Sequence, residues 1–107
     1  MKIDNNLSKE MIVKYGEHSQ LDIVVEELSE LIKEVIKFKR KTSHGESFDI
    51  THLKEELADS IVVQEILFSV LETHGINREE VYKEASIKQQ RTRDRYLEPK
   101  VDLFTLE

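Results

Sequence analysis

The feature that most constrains this chain is a run of apolar residues at helical spacing: Leu21, Val24, Val25, Leu28, Leu31, Ile32, Val35 and Ile36. Side chains recurring three and four positions apart line one side of a helix, whereas a strand needs a period of two. No Gly or Pro interrupts the run. A second run, Ile61, Val62, Val63, Ile66, Leu67, Phe68, Val70 and Leu71, covers almost the whole helical circumference and predicts a helix central to the fold. Only 3 Gly and 1 Pro in 107 residues leave little material for the turns of a sandwich or barrel. The expected class is all-α, a four-to-five-helix bundle forming a single domain over 1–107 with 98–107 as a tail.

Punctuation residues set the expected limits. A short first helix should start after Ser8, pass through Met11, Ile12 and Tyr15, and stop at Gly16. Ser19 as N-cap, with Asp22 behind it, opens the second helix, which should end near Arg40 or Lys41. Thr42 to Ile50 has no helical period and reads as the longest internal loop. Thr51 is expected to cap the third helix and Gly75 to end it. Asn77 with Glu80 makes a capping-box pattern for the fourth, which carries Val81, Tyr82, Ala85 and Ile87, then the polar stretch Lys88 to Arg95, before Pro99 stops it. Val101, Leu103, Phe104 and Leu106 then form an apolar tail suited to a partner subunit. A helix apolar nearly all round leaves surface that a monomer cannot easily cover, so a homodimer or homotetramer is expected.

Charge narrows the partners. With 22 acidic against 16 basic residues the molecular field repels polyanions, and no nucleic-acid partner is expected. The longest basic run, Lys37 to Lys41, falls at the end of a predicted helix, where cations suit the dipole. Met1 to Glu10 carries charges where a signal peptide would need an apolar core, and no apolar run approaches the ~18 residues of a membrane span. A cytoplasmic protein without a membrane partner is the expectation. The absence of Cys removes disulfides, thiolate catalysis and Cys-based zinc sites. His18, His44, His52 and His74 form no HxxxH or HExxH pair, and none follows a Glu by three as a di-iron bundle requires, so they are expected at the surface. With no Gly-rich phosphate loop, phosphates would have to be held by metal and basic side chains.

Four acids stand out against this background. Glu27 and Glu30, spaced ExxE, share one helix face, as do Glu56 and Asp59, spaced ExxD, on the next helix. At 100° per residue, Glu27 lies close to the line of Val24 and Leu31, while Glu56 and Asp59 flank the line of Val63, Leu67 and Val70. They therefore sit at the edge of the stripes that should be buried, not opposite them. Two like charges ~4 Å apart repel by about 4 kcal/mol at an effective dielectric of ~20, so converging carboxylates need protons or cations between them. An all-oxygen donor set of this kind suits Mg²⁺, with Mn²⁺ as a substitute, better than zinc.

Glu26-Glu27-Leu28-Ser29-Glu30 followed by Glu56-Leu57-Ala58-Asp59 resembles the EExxE and ExxD signature of MazG-like, all-α NTP pyrophosphohydrolases. Tyr15-Gly16, Gln20, Lys88 and Arg95-Tyr96 are similar to flanking patterns of that family, and the resemblance spans most of the chain. It implies a bundle of the all-α NTP pyrophosphatase type, completed by oligomerisation, that uses Mg²⁺ to cleave (d)NTP to (d)NMP and pyrophosphate in nucleotide-pool house-cleaning. Glu27, Glu30, Glu56 and Asp59 would hold the metal, and Glu26 would orient the attacking water, with Glu26 or Glu27 taking its proton. Lys88 and Arg95 would face the phosphates, Arg91 with them, and Gln20, Tyr15 and Phe38 are candidate contacts for the base. Thr92 stands where related members often carry Asn, and Ile61-Val62-Val63 where the relatives that cleave phosphoribosyl-ATP have Tyr-His. The alternative is a non-catalytic helical interaction module or a nucleotide sensor.

Overall fold

The computed structural model describes residues 4–97. These form four helices and no strand: α1 (Asn5–Tyr15), α2 (Glu17–Ser43), α3 (Thr51–Thr73) and α4 (Arg78–Tyr96). The expected tail, 98–107, lies outside the described residues, as do Pro99, Val101, Leu103, Phe104 and Leu106. No helix among the described residues is long and apolar enough to cross a membrane. The backbone divides into two compact units between His74 and Gly75, with α1, α2 and α3 in the first and α4 in the second.

The helix starts differ from the expected ones for local reasons. Asp4, not Ser8, caps α1, its carboxylate accepting from the amides of Asn6 at 2.9 Å and Leu7 at 3.4 Å. Ser8 instead turns inward, and its hydroxyl meets that of Ser69 on α3 at 2.7 Å in a buried pair. Gly16 both closes α1 and opens α2, so Ser19 falls inside the helix. Its φ of 91° and ψ of 155° belong to a region that only glycine adopts readily. The far end of α2 runs past Arg40 to Ser43 because the hydroxyls of Thr42 and Ser43 donate back to the carbonyls of Phe38 (2.7 Å) and Arg40 (2.9 Å). Thr51 is the first residue of α3 and not its cap; the Asp49 carboxylate accepts its amide at 2.9 Å. Asn77 caps α4 as expected, accepting from the amide of Glu79 at 2.8 Å.

In the first unit α2 and α3 pack as an antiparallel pair, since Glu34 meets His52 while Glu17, at the other end of α2, meets His74. Val24, Val63 and Ile66 form the core, with Ile23, Leu28 and Leu67 packed against it and Val70 buried nearby. Each such side chain contributes roughly 1.5–3 kcal/mol when fully buried. The helix expected to be central, α3, is the one that most fully contacts both α1 and α2. It is not enclosed, however: Leu57, Ile61 and Val62 are exposed. On α2, Leu21, Val25, Leu28, Ile32 and Val35 alternate spacings of four and three, the pattern of a coiled-coil seam, and Val25 (65 % exposed) and Ile32 (60 %) face outward. Leu57 and Ile61 lie on the same rotational side of their buried stripe as Val25 and Ile32, which in an antiparallel pair puts all four on one face.

In the second unit α4 is exposed along its length, with only Arg78 and Val81 half-buried.

Candidate metal centre

The antiparallel packing of α2 on α3 brings Glu27 to Glu56 and Asp59, and carboxylate oxygens from all three lie within 4.8 Å of one another. The cluster borders the apolar core: Val24 precedes Glu27 by one turn, and Val63 follows Asp59 by one turn. Glu27 is half-buried, Glu56 is 9 % exposed and Asp59 is open to solvent, so the cluster forms a graded passage from core to water. Among the described residues no other group of His, Asp or Glu converges as tightly.

The electrostatic consequence is concentrated on Glu27. Its carboxyl is pushed above the usual carboxylate range, first by desolvation, then by the charges of Asp59, Glu56 and Glu26, and by a hydrogen bond shared with Asp59. Glu56 shows a second sign of incompleteness: its Oε2 is buried and has no hydrogen-bond partner among the described residues. A buried acceptor without a donor is costly, and a cation satisfies it. The residues present therefore fit a hard divalent cation: an all-carboxylate donor set, excess negative charge and an orphaned oxygen.

The other expected site residues lie as follows. Glu30, one turn from Glu27, is turned toward Lys33 at 3.6 Å and is not one of the three converging acids. Such exposed pairs are worth about 0–1 kcal/mol, a weak hold on the side chain. Glu26 is exposed and raises the proton affinity of its neighbour Glu27. Gln20 is 1 % exposed, and its Oε1 has no hydrogen-bond partner among the described residues. Tyr15 is exposed under the Lys14 ammonium, and Phe38 stacks edge-on against Phe48 with centroids 5.3 Å apart. In the other unit Lys88, Arg91 and Arg95 are exposed on α4 at spacings that give them one face. Thr92 donates its hydroxyl to the Lys88 carbonyl at 2.9 Å.

No protein-family model, curated protein or solved structure matches this chain. The site must be read from its own residues.

Two of those residues were missed in the sequence. Glu34 is buried at 6 % exposure, with Lys37 Nζ at 3.2 Å. His52 Nε2 lies 3.5 Å from both Glu34 Oε1 and Glu56 Oε1. The signal was present: Glu34 stands seven residues after Glu27, hence on its face, and His52 stands four before Glu56. A search for His after Glu, or for paired His, passes over a His that precedes its carboxylate.

Proposed function

We propose that the protein is a Mg²⁺-dependent nucleotide pyrophosphohydrolase that cleaves a (d)NTP between its α and β phosphates, releasing (d)NMP and pyrophosphate in the cytoplasm. The observation that carries this reading is the convergence of Glu27, Glu56 and Asp59 within 4.8 Å, with one buried oxygen of Glu56 lacking a hydrogen-bond partner among the described residues. The resemblance of the EExxE and ExxD motifs to MazG-like enzymes supplies the reaction class.

Glu27, Glu56 and Asp59 would hold Mg²⁺, or Mn²⁺ in its place, and Glu30 would join them by leaving Lys33, at a cost below about 1 kcal/mol. When bound, the ion would neutralise charge at the phosphate oxygens and lower the pKa of the attacking water. Glu26, exposed and outside the converging three, would accept the proton of the attacking water, with Glu27 the other candidate for that role. The water oxygen bonds to phosphorus, the bond to the bridging oxygen breaks, and pyrophosphate leaves. By the resemblance, Lys88 and Arg95, and Arg91 with them, are assigned the phosphates and the charge that develops on the leaving group. Gln20 is assigned to the substrate by resemblance, its unpartnered Oε1 being an acceptor for a base amine.

The exposed seam of Val25, Ile32, Leu57 and Ile61 supports assembly with a second copy into a homodimer, or a homotetramer of two such pairs, which would complete a bundle of the all-α NTP pyrophosphatase type. The same seam is what favours the rival, a helical interaction module with no turnover. Pyrophosphate release from a panel of natural triphosphates, measured with Mg²⁺ present, separates the two. A Glu56→Gln, Asp59→Asn variant is expected to lose roughly a hundredfold or more of that release; unchanged release would overturn the assignment.

A further inference from the structure

Lys37, Glu34, His52 and Glu56 form a chain of contacts that crosses from α2 to α3 and ends on the acidic cluster. Glu34 lies deeper than Glu56 yet belongs to neither acidic motif. Burying a carboxylate is costly unless charges or donors meet it; the Lys37 ammonium does so at 3.2 Å, and His52 Nε2 stands 3.5 Å from the same oxygen. The same imidazole nitrogen stands 3.5 Å from Glu56 Oε1, while Nδ1 stands 3.7 Å from Glu55 Oε2. His52 thus approaches Glu56 at Oε1, and the buried Oε2 has no hydrogen-bond partner among the described residues.

Glu34, His52 and Glu56 are not themselves a ligand set. Donor atoms on one ion with bonds of about 2.1 Å lie within ~4.2 Å of each other, and these three do not converge within even 4.8 Å, as Glu27, Glu56 and Asp59 do. His52 can act on a cation only through Glu56.

We propose that His52 is a positioning residue: Glu34 holds the imidazole, the imidazole holds Glu56 Oε1, and Oε2 is left facing the cation. This rests on Glu27, Glu56 and Asp59 being the cation's ligands. Partners that fix a ligating side chain typically govern metal affinity by 10–100-fold when removed.

The test is Mn²⁺ titration of the full chain, with free Mn²⁺ read by electron paramagnetic resonance and folding checked by circular dichroism. His52→Ala is expected to weaken Mn²⁺ roughly 10–100-fold, and His52→Gln, whose amide keeps an N–H at similar reach, to recover most of that loss. Glu34→Gln is expected to weaken binding as well, and the His52→Ala, Glu34→Gln double variant to bind no worse than His52→Ala alone. Wild-type affinity in His52→Ala, equal losses in the Ala and Gln variants, or additive losses in the double variant would overturn the positioning role while leaving the cluster as the cation site. If His52→Ala does not fold, Glu34→Gln decides: weakened binding supports the role, and wild-type binding overturns it. A wild-type protein that shows no saturable Mn²⁺ binding would bring down the cation site itself, and the positioning role with it.

Discussion

Glu27 carries the conflict of the site in one side chain, because its proton affinity is raised by burial and by three neighbouring carboxylates. A carboxyl whose folded-state pKa lies above its unfolded value binds protons more readily when folded. Its contribution to stability is therefore most favourable in acid and is lost as the pH rises from the unfolded value of 4.5 through the raised folded value. Without a cation, Glu27→Gln should be more stable than the wild type at pH 7, and the gap should shrink as the pH falls toward 5. Urea melts of both proteins across that range check this; a gap that does not change with pH would contradict it. Placement of Glu27, Glu56 and Asp59 was legible because 100° per residue puts them beside Val24 and Val63. Which way Glu30 turns was not, since its choice between Lys33 and the cluster depends on a rotamer and a weak surface pair.

At the scale of the helix, periodicity and capping are legible to different degrees. The 3.6-residue spacing located all four helices, because burial of a stripe is a collective demand shared by many residues. A cap is one side chain with competing uses. Ser8 and Ser19 are both good capping residues, yet Ser8 is taken by Ser69 and Ser19 lies past the turn that Gly16 makes. Asn77, with no competing use for its side-chain oxygen, caps as expected. Replacing Gly16 with Ala should cost about 1–3 kcal/mol, because a Cβ is strained at φ 91° even though nothing crowds it. Asn77→Ala should cost roughly 0.5–2 kcal/mol of local helix stability. Denaturant melts read the first substitution, and amide exchange along α4 reads the second. A Gly16→Ala protein as stable as the wild type would mean that the junction can adopt another backbone path.

The whole molecule raises the question of what covers α2 and α3 on their open face. The all-round apolar character of α3 was visible in the sequence, and with it the expectation that one chain cannot easily cover such a helix. Enclosure fails because α1 and α2 are too few to surround α3, leaving Leu57 and Ile61 beside Val25 and Ile32 on the uncovered side. Light scattering at micromolar concentration should give the mass of a dimer or tetramer, and an Ile32→Glu, Leu57→Glu variant should shift it to monomer by placing charges in the seam. A monomeric wild type would contradict this. The same antiparallel pair divides the acidic cluster, one acid on α2 and two on α3, separated in sequence by the whole interhelical turn. An unfolded chain holds no such site, so any cation bound there acts as a clasp on the hairpin. At a hundred times its dissociation constant it would add about 2.7 kcal/mol to folding. Resistance to a protease that cuts only the opened chain would then rise and fall with free Mg²⁺, which makes the lifetime of the protein, and not only its chemistry, a readout of the ion.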